Sequence, residues 1–125
     1  MAGVLIHLLA GSAMAFAGRY YFDDYFKGTK YRERFYLAAV CLLFSIVPDV
    51  FLGLYYTFPQ SIVYNSMVGF HILLHAIFIP IAIASLVLLK YKYDIKYEPI
   101  VAMGFWCILL HIAMDYLIVE SSVFI

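Results

Sequence analysis

The chain has 125 residues, 66% hydrophobic and 13% charged, with a mean hydropathy of +0.95 and no net charge at neutral pH. A soluble domain of this size needs about a quarter of its residues charged to cover its surface, so a free-standing soluble enzyme is excluded. Disorder is excluded by the wealth of apolar residues, and the absence of a basic excess argues against a nucleic-acid partner. What remains is a polytopic membrane protein: at about 20 residues per span, the length accommodates four helices and short loops.

Four apolar runs define those helices, over residues 2–21, 36–58, 67–89 and 100–119. The expectation is a single all-α domain covering residues 1–125, a bundle of four transmembrane helices. The first run has no basic segment before it and is therefore read as a retained span, not a signal peptide. Stop signals separate the runs: Asp23-Asp24 and Lys27-Gly28-Thr29-Lys30, then Pro59-Gln60-Ser61, then the polar stretch from Lys90 to Glu98, with Pro99 suited to the first turn of the last helix.

Every Lys and Arg falls in or beside two of the three gaps: Arg19, Lys27, Lys30, Arg32 and Arg34 around the first, and Lys90, Lys92 and Lys96 in the third. In a four-helix chain those gaps share one side, and the excess of basic residues makes that side cytoplasmic. The loops at 22–35 and 90–98 are then inside, with both termini outside. The tyrosines fit the same frame. Tyr20, Tyr21, Tyr25, Tyr31, Tyr36, Tyr91, Tyr93 and Tyr97 mark the inner boundary and Tyr55, Tyr56 and Tyr64 the outer one, leaving Tyr116 alone within a run. Asp23, Asp24 and Glu33 are expected to balance nearby cations, and Glu120 to sit at the interface. Cys41 and Cys107 have no metal-type spacing and read as small buried apolar residues.

Six ionisable residues lie within the spans: His7, Asp49, His71, His75, His111 and Asp115, including all four histidines of the protein. A charge at mid-bilayer costs about 2.5–3.5 kcal/mol on insertion scales, and such residues usually face the bundle interior. Measured from the outer helix ends at about 1.5 Å per residue, all six lie roughly 5–13 Å deep, in the outer half of the membrane. His71 and His75, and likewise His111 and Asp115, are four residues apart, so each pair shares a helix face. His7 lies on a stripe of small residues, Gly3-His7-Gly11-Ala15, of the kind that lets helices approach closely. Pro48 can bend the second helix beside Asp49, and Pro80 the third.

Imidazole and carboxylate at one depth suit a divalent Zn, Mn or Fe ion. Six donors can hold one ion with supporting groups or two ions. The competing reading is that these groups hydrogen-bond to one another across helices and only hold the bundle together.

At these residues the chain resembles the YdjM-like family of predicted membrane-bound metal-dependent hydrolases. The matches are His7-Leu8-Leu9-Ala10-Gly11 for an N-terminal His motif, Pro48-Asp49 for a Pro-Asp-x-Asp motif, His75 for a Thr-His-Ser motif, and His111-Ile112-Ala113-Met114-Asp115 for a His-xxx-Asp motif. Phe51 replaces the second Asp, Leu74 and Ala76 replace the Thr and Ser, and His71 has no counterpart in the pattern. The resemblance implies a metal site built from His7, Asp49, His75, His111 and Asp115. His71 is a supporting group or an additional ligand, and Asp49 a ligand or general base.

The resulting expectation is a metal-dependent hydrolase acting on a lipid or lipid-linked group at the outer leaflet. The alternatives are a non-enzymatic small subunit of a larger membrane complex and a haem-binding four-helix bundle using histidines such as His75 and His111. Expected partners are membrane lipids, and other membrane subunits or further copies of the chain.

Overall fold

The computed structural model describes residues 3–29, 31–50, 53–54, 64–92 and 97–117. All regular structure among them is helical. Helix α1 spans Val4–Tyr21 and the short α2 spans Asp23–Lys27. Helix α3 spans Tyr31–Ile46 and passes directly into a 3-10 turn at Val47–Asp49. Helices α4 and α5 span Tyr64–Lys92 and Glu98–Leu117.

Two of these helices are long and apolar enough to cross a membrane: α4 over Gly69–Tyr91, with a mean hydropathy of 2.7, and α5, with 1.8. Helix α1 is diluted by glycines, Ser12, Arg19 and tyrosines, and α3 is only 16 residues long. The second expected run therefore differs from the observed helix at its start and is interrupted within it. Helix α3 begins at Tyr31, inside the expected 22–35 loop, because Tyr31-Arg32-Glu33-Arg34 sustains a helical turn without being apolar. It is interrupted by the 3-10 turn at Val47, where Pro48 has no amide proton to continue the ladder, and Val50, Gly53 and Leu54 are again helical. The rest of that run, including Tyr55 and Tyr56, and the Pro59-Gln60-Ser61 signal lie outside the described residues, as do Lys30, Tyr93, Lys96 and Glu120.

Helix α3 packs against both α1 and α5, α1 also meets α5, and α4 packs mainly on α5. A four-residue stripe of α3, Glu33-Leu37-Cys41-Ser45, is buried throughout. Its middle joins Phe26, Ile100, Met103 and Cys107 in the main core, where both cysteines are buried and free, as their apolar setting implied. A second cluster of Ala82, Ile108 and Ile112 ties α4 to α5.

Close approach is built from glycines. A Cβ on Gly11 would lie 2.7 Å from Ser45 Oγ and 3.0 Å from the Cys41 carbonyl. One on Gly104 would lie 2.8 Å from Val40. The first contact seats α1 directly on the last turn of α3, and His7 stands one turn further along the same face of α1.

The outer faces of the helices are apolar. Leu5, Leu9, Phe16, Leu43, Ile72, Ile83, Leu88 and Trp106 are all exposed, a spread of apolar surface that a monomer in water rarely presents. At the α2 end of the bundle, Lys27 pairs with Asp23 at 2.8 Å and Asp24 at 3.3 Å, as the charge pattern implied. Glu33 has the Arg32 guanidinium 3.8 Å away, in keeping with its expected role beside a cation, and the early start of α3 also turns it inward, where it is buried.

A buried histidine and aspartate cluster

All six ionisable residues singled out within the apolar runs meet in one place. His7 comes from α1, Asp49 from the 3-10 turn, His71 and His75 from α4, and His111 and Asp115 from α5. The side chains of His7 and His111 are essentially inaccessible, and the most exposed of the six, His75, is 15% exposed.

The two carboxylates are the hubs. Asp49 Oδ2 lies 3.4 Å from His7 Nε2, while its Oδ1 lies 3.3 Å from His71 Nδ1 and 3.5 Å from His111 Nε2. Asp115 Oδ1 lies 3.1 Å from the same His7 nitrogen, while its Oδ2 lies 3.1 Å from His75 Nε2 and 3.5 Å from His111 Nε2. The rings themselves are crowded: His7 stacks on His111 with centroids 3.8 Å apart, and His71 and His75 are 4.2 Å apart.

Local backbone structure fixes two of the imidazoles. Pro48 turns the end of α3 into a 3-10 turn whose amides bond three residues back, as Val50 does to Val47. This releases carbonyls from the α-helical pattern just before the turn. The Ser45 carbonyl receives the His111 Nδ1–H, at 2.6 Å. In α4, the His75 Nδ1–H is donated to the His71 carbonyl one turn back, at 3.0 Å. With both Nδ1 atoms acting as donors, a neutral ring has its Nε2 lone pair directed at the aspartates.

Lone pairs facing carboxylate oxygens repel unless a cation stands between them. That cation is a proton on the ring or a metal ion in the space between. Four buried atoms of the cluster, His7 Nδ1, Asp49 Oδ1, His71 Nδ1 and His111 Nε2, have no hydrogen bond among the described residues. Buried polar atoms in that condition are unfavourable by about 1–3 kcal/mol each.

The spacing fits a metal. Two ligands about 2.0–2.2 Å from one ion in tetrahedral arrangement stand roughly 3.3–3.6 Å apart, and the nitrogen–oxygen distances here run from 3.1 to 3.5 Å. The donors of His7, Asp49, His111 and Asp115 lie within 4.8 Å of one another, as do those of Asp49, His71, His75 and Asp115. The imidazole donation to a backbone carbonyl, seen twice, is the usual support for a histidine ligand.

The sequence did not signal the Ser45 carbonyl, because a backbone acceptor has no residue signature. Its only trace is the spacing Cys41-Ser45-Asp49, which puts Ser45 one turn before the carboxylate. Nor does the structure leave a slot for haem between His75 and His111. The Asp115 carboxylate stands between their Nε2 atoms, 3.1 and 3.5 Å from them.

No protein-family model matches the chain, and no curated protein or solved structure matches it either. The chain is thus characterised by its own features: an all-helical fold with two helices able to cross a membrane, around a buried cluster of four histidines and two aspartates able to hold a metal ion.

Proposed function

We propose that this protein is a membrane-embedded metal-binding protein acting as a metal-dependent hydrolase on a lipid or lipid-linked substrate at the outer leaflet. The observation that carries the proposal is the orientation of His75 and His111. Each is tied back through Nδ1 to a backbone carbonyl and presents Nε2 to the Asp115 carboxylate. The motif-level likeness to YdjM-like predicted hydrolases points the same way.

When bound, a divalent ion supplies Lewis acidity and lowers the pKa of a coordinated water toward neutrality. The chain supplies the rest. His7 and His111 with Asp49 and Asp115, or His71 and His75 with the same two aspartates, would hold the ion. Asp49 would serve as a ligand or as the proton acceptor. It sits on a 3-10 turn, with a side chain 12% exposed against 8% for Asp115. Hydrolysis consumes one water. Its oxygen joins the carbonyl or phosphoryl centre, and its proton passes through Asp49 to the departing oxygen. The apolar outer faces of the helices support a lipid setting.

The experiment is metal analysis of the purified protein, coupled to assays on vesicles carrying ester and phosphoester lipids. The metal-loaded protein is expected to release product. Asp49→Asn is expected to lower the rate by about 10²–10⁴-fold, the range of a lost general base. Equal rates for the two proteins would overturn the catalytic role of Asp49.

A second reading is a non-enzymatic subunit of a membrane complex in which the cluster is structural. Hydrogen-bond contacts of 3.1 Å from Asp115 to both His7 and His75 favour it, since protonated rings could make those bonds without a metal. It predicts that the protein extracted in mild detergent runs with fixed partners and without bound metal.

A further inference from the structure

The donor atoms of the cluster form two sets of four, not one set of six. His7 and His111 share a set with Asp49 and Asp115, and His71 and His75 share another with the same two aspartates. One ion at about 2.0–2.1 Å from each nitrogen requires opposite donors within roughly 4.2 Å of each other. Here the donors of each set lie within 4.8 Å of one another, so each closes by about 0.6 Å at most onto one ion, and only the carboxylates belong to both.

The carboxylates are turned to serve both sets. Asp49 directs Oδ2 at His7 and Oδ1 at His71. Asp115 directs Oδ1 at His7 and Oδ2 at His75. Each thus presents one oxygen to α1 and the other to α4. A carboxylate with its two oxygens directed to opposite sides is the disposition that bridges a pair of ions. His111, 3.5 Å from Asp49 Oδ1 and from Asp115 Oδ2, stands beside the shared edge.

We propose that this pocket holds two divalent cations bridged by Asp49 and Asp115, and that the pair takes a phosphoryl group. This rests on the metal-binding reading above and narrows its substrate to a phosphate ester or diphosphate. The charge balance supplies the reason. Two divalent ions against two aspartates and neutral imidazoles leave a surplus of two positive charges in an apolar bundle. No other acidic side chain among the described residues is seen touching the cluster: Asp23 and Asp24 pair with Lys27, Glu33 sits beside Arg32, and Glu98 opens α5 at the end away from His111 and Asp115. An anionic ligand offsets that surplus, because an uncompensated buried charge is strongly unfavourable. A phosphoryl group carries that charge and offers oxygens to both ions, as in other two-metal sites with ions about 3.5–4 Å apart.

The test is titration of the full chain, purified in detergent, with Mn(II) alone, read by metal content and electron paramagnetic resonance. Two ions per chain with an exchange-coupled spectrum are expected. The His71→Ala/His75→Ala variant, and the milder His71→Gln/His75→Gln, are expected to bind one ion with an uncoupled six-line signal while keeping wild-type helicity by circular dichroism. Inorganic phosphate is expected to change the coupled spectrum. One uncoupled ion in the wild type, or two without coupling, overturns the bridged pair while leaving the metal site intact. A coupled spectrum unchanged by phosphate overturns the phosphoryl assignment. No manganese bound, with zinc and iron(II) equally excluded, overturns the metal-binding reading itself.

Discussion

His111 shows how a single residue is set by its surroundings. Its ring is inaccessible, stacked on His7, and tied to the Ser45 carbonyl at 2.6 Å. That bond exists because Pro48 changes the hydrogen-bond pattern at the end of α3. Restoring an amide proton with Pro48→Ala lets the α-helix run on, draws the Ser45 carbonyl back into the ladder and rotates Asp49 away. The expected result is a loss of about 10–100-fold in metal affinity, the range seen when a group supporting a ligand is removed, with helicity unchanged. Isothermal titration with zinc checks it. Undiminished affinity would mean that Pro48 has no part in shaping the site. At this scale much was legible. All six cluster residues stand out in the sequence as ionisable groups inside apolar runs. His71 takes its place 3.3 Å from Asp49. Hidden from the sequence was the role of Ser45, which works through its backbone.

The elements are placed by small residues as much as by apolar ones. Gly11 lets α1 rest on α3, and any side chain there meets Ser45 and the Cys41 carbonyl within 3.0 Å. Gly11→Leu is therefore expected to destabilise the bundle by about 1–3 kcal/mol through overpacking and to weaken metal binding, because α1 carries His7. Gly28→Ala, with nothing within 4 Å, is the control and is expected to be neutral. Thermal unfolding in detergent, followed by circular dichroism, compares the two. A Gly11→Leu protein as stable as the Gly28→Ala protein would show that α1 is not tightly seated. The sequence stripe Gly3-His7-Gly11-Ala15 announced this contact, since Gly3, His7 and Gly11 are buried and Ala15 packs on the core. The bounds of α3 were less legible. Hydrophobicity marks where a helix is apolar, but backbone hydrogen bonds continue through Tyr31-Arg32-Glu33-Arg34 and change at Pro48. The burial of Glu33 was hidden for that reason, because its inward direction follows from the helical register and not from its charge.

Across the whole molecule, the polar groups are sorted in two ways. The six cluster residues are drawn inward from four separate elements to one level of the bundle, while the side chains facing outward are largely apolar. The distribution of Lys and Arg over two gaps predicts that the 22–35 and 90–98 segments face the cytoplasm. A single cysteine introduced at Thr29, in a Cys41→Ala/Cys107→Ala background, is expected to react with a membrane-impermeant maleimide only after the membrane is opened. Labelling of intact cells would reverse the orientation and move the cluster to the inner leaflet. The composition made helices apolar enough to cross a membrane legible, and equal depth in four runs made the cluster legible. The two-fold sharing of the aspartates was not, because it depends on which carboxylate oxygen faces which helix.

The claim on which the rest depends is that the cluster binds metal. Its most direct test is the metal content of the protein purified in detergent without chelators, measured by elemental mass spectrometry beside the His111→Ala/Asp115→Asn variant. We expect at least one stoichiometric divalent ion per wild-type chain and none in the folded variant. A wild-type protein with no more metal than the variant, and still unable to take up zinc, manganese or iron(II) when they are supplied, would contradict the account and leave the histidines and aspartates as helix-to-helix hydrogen bonds alone.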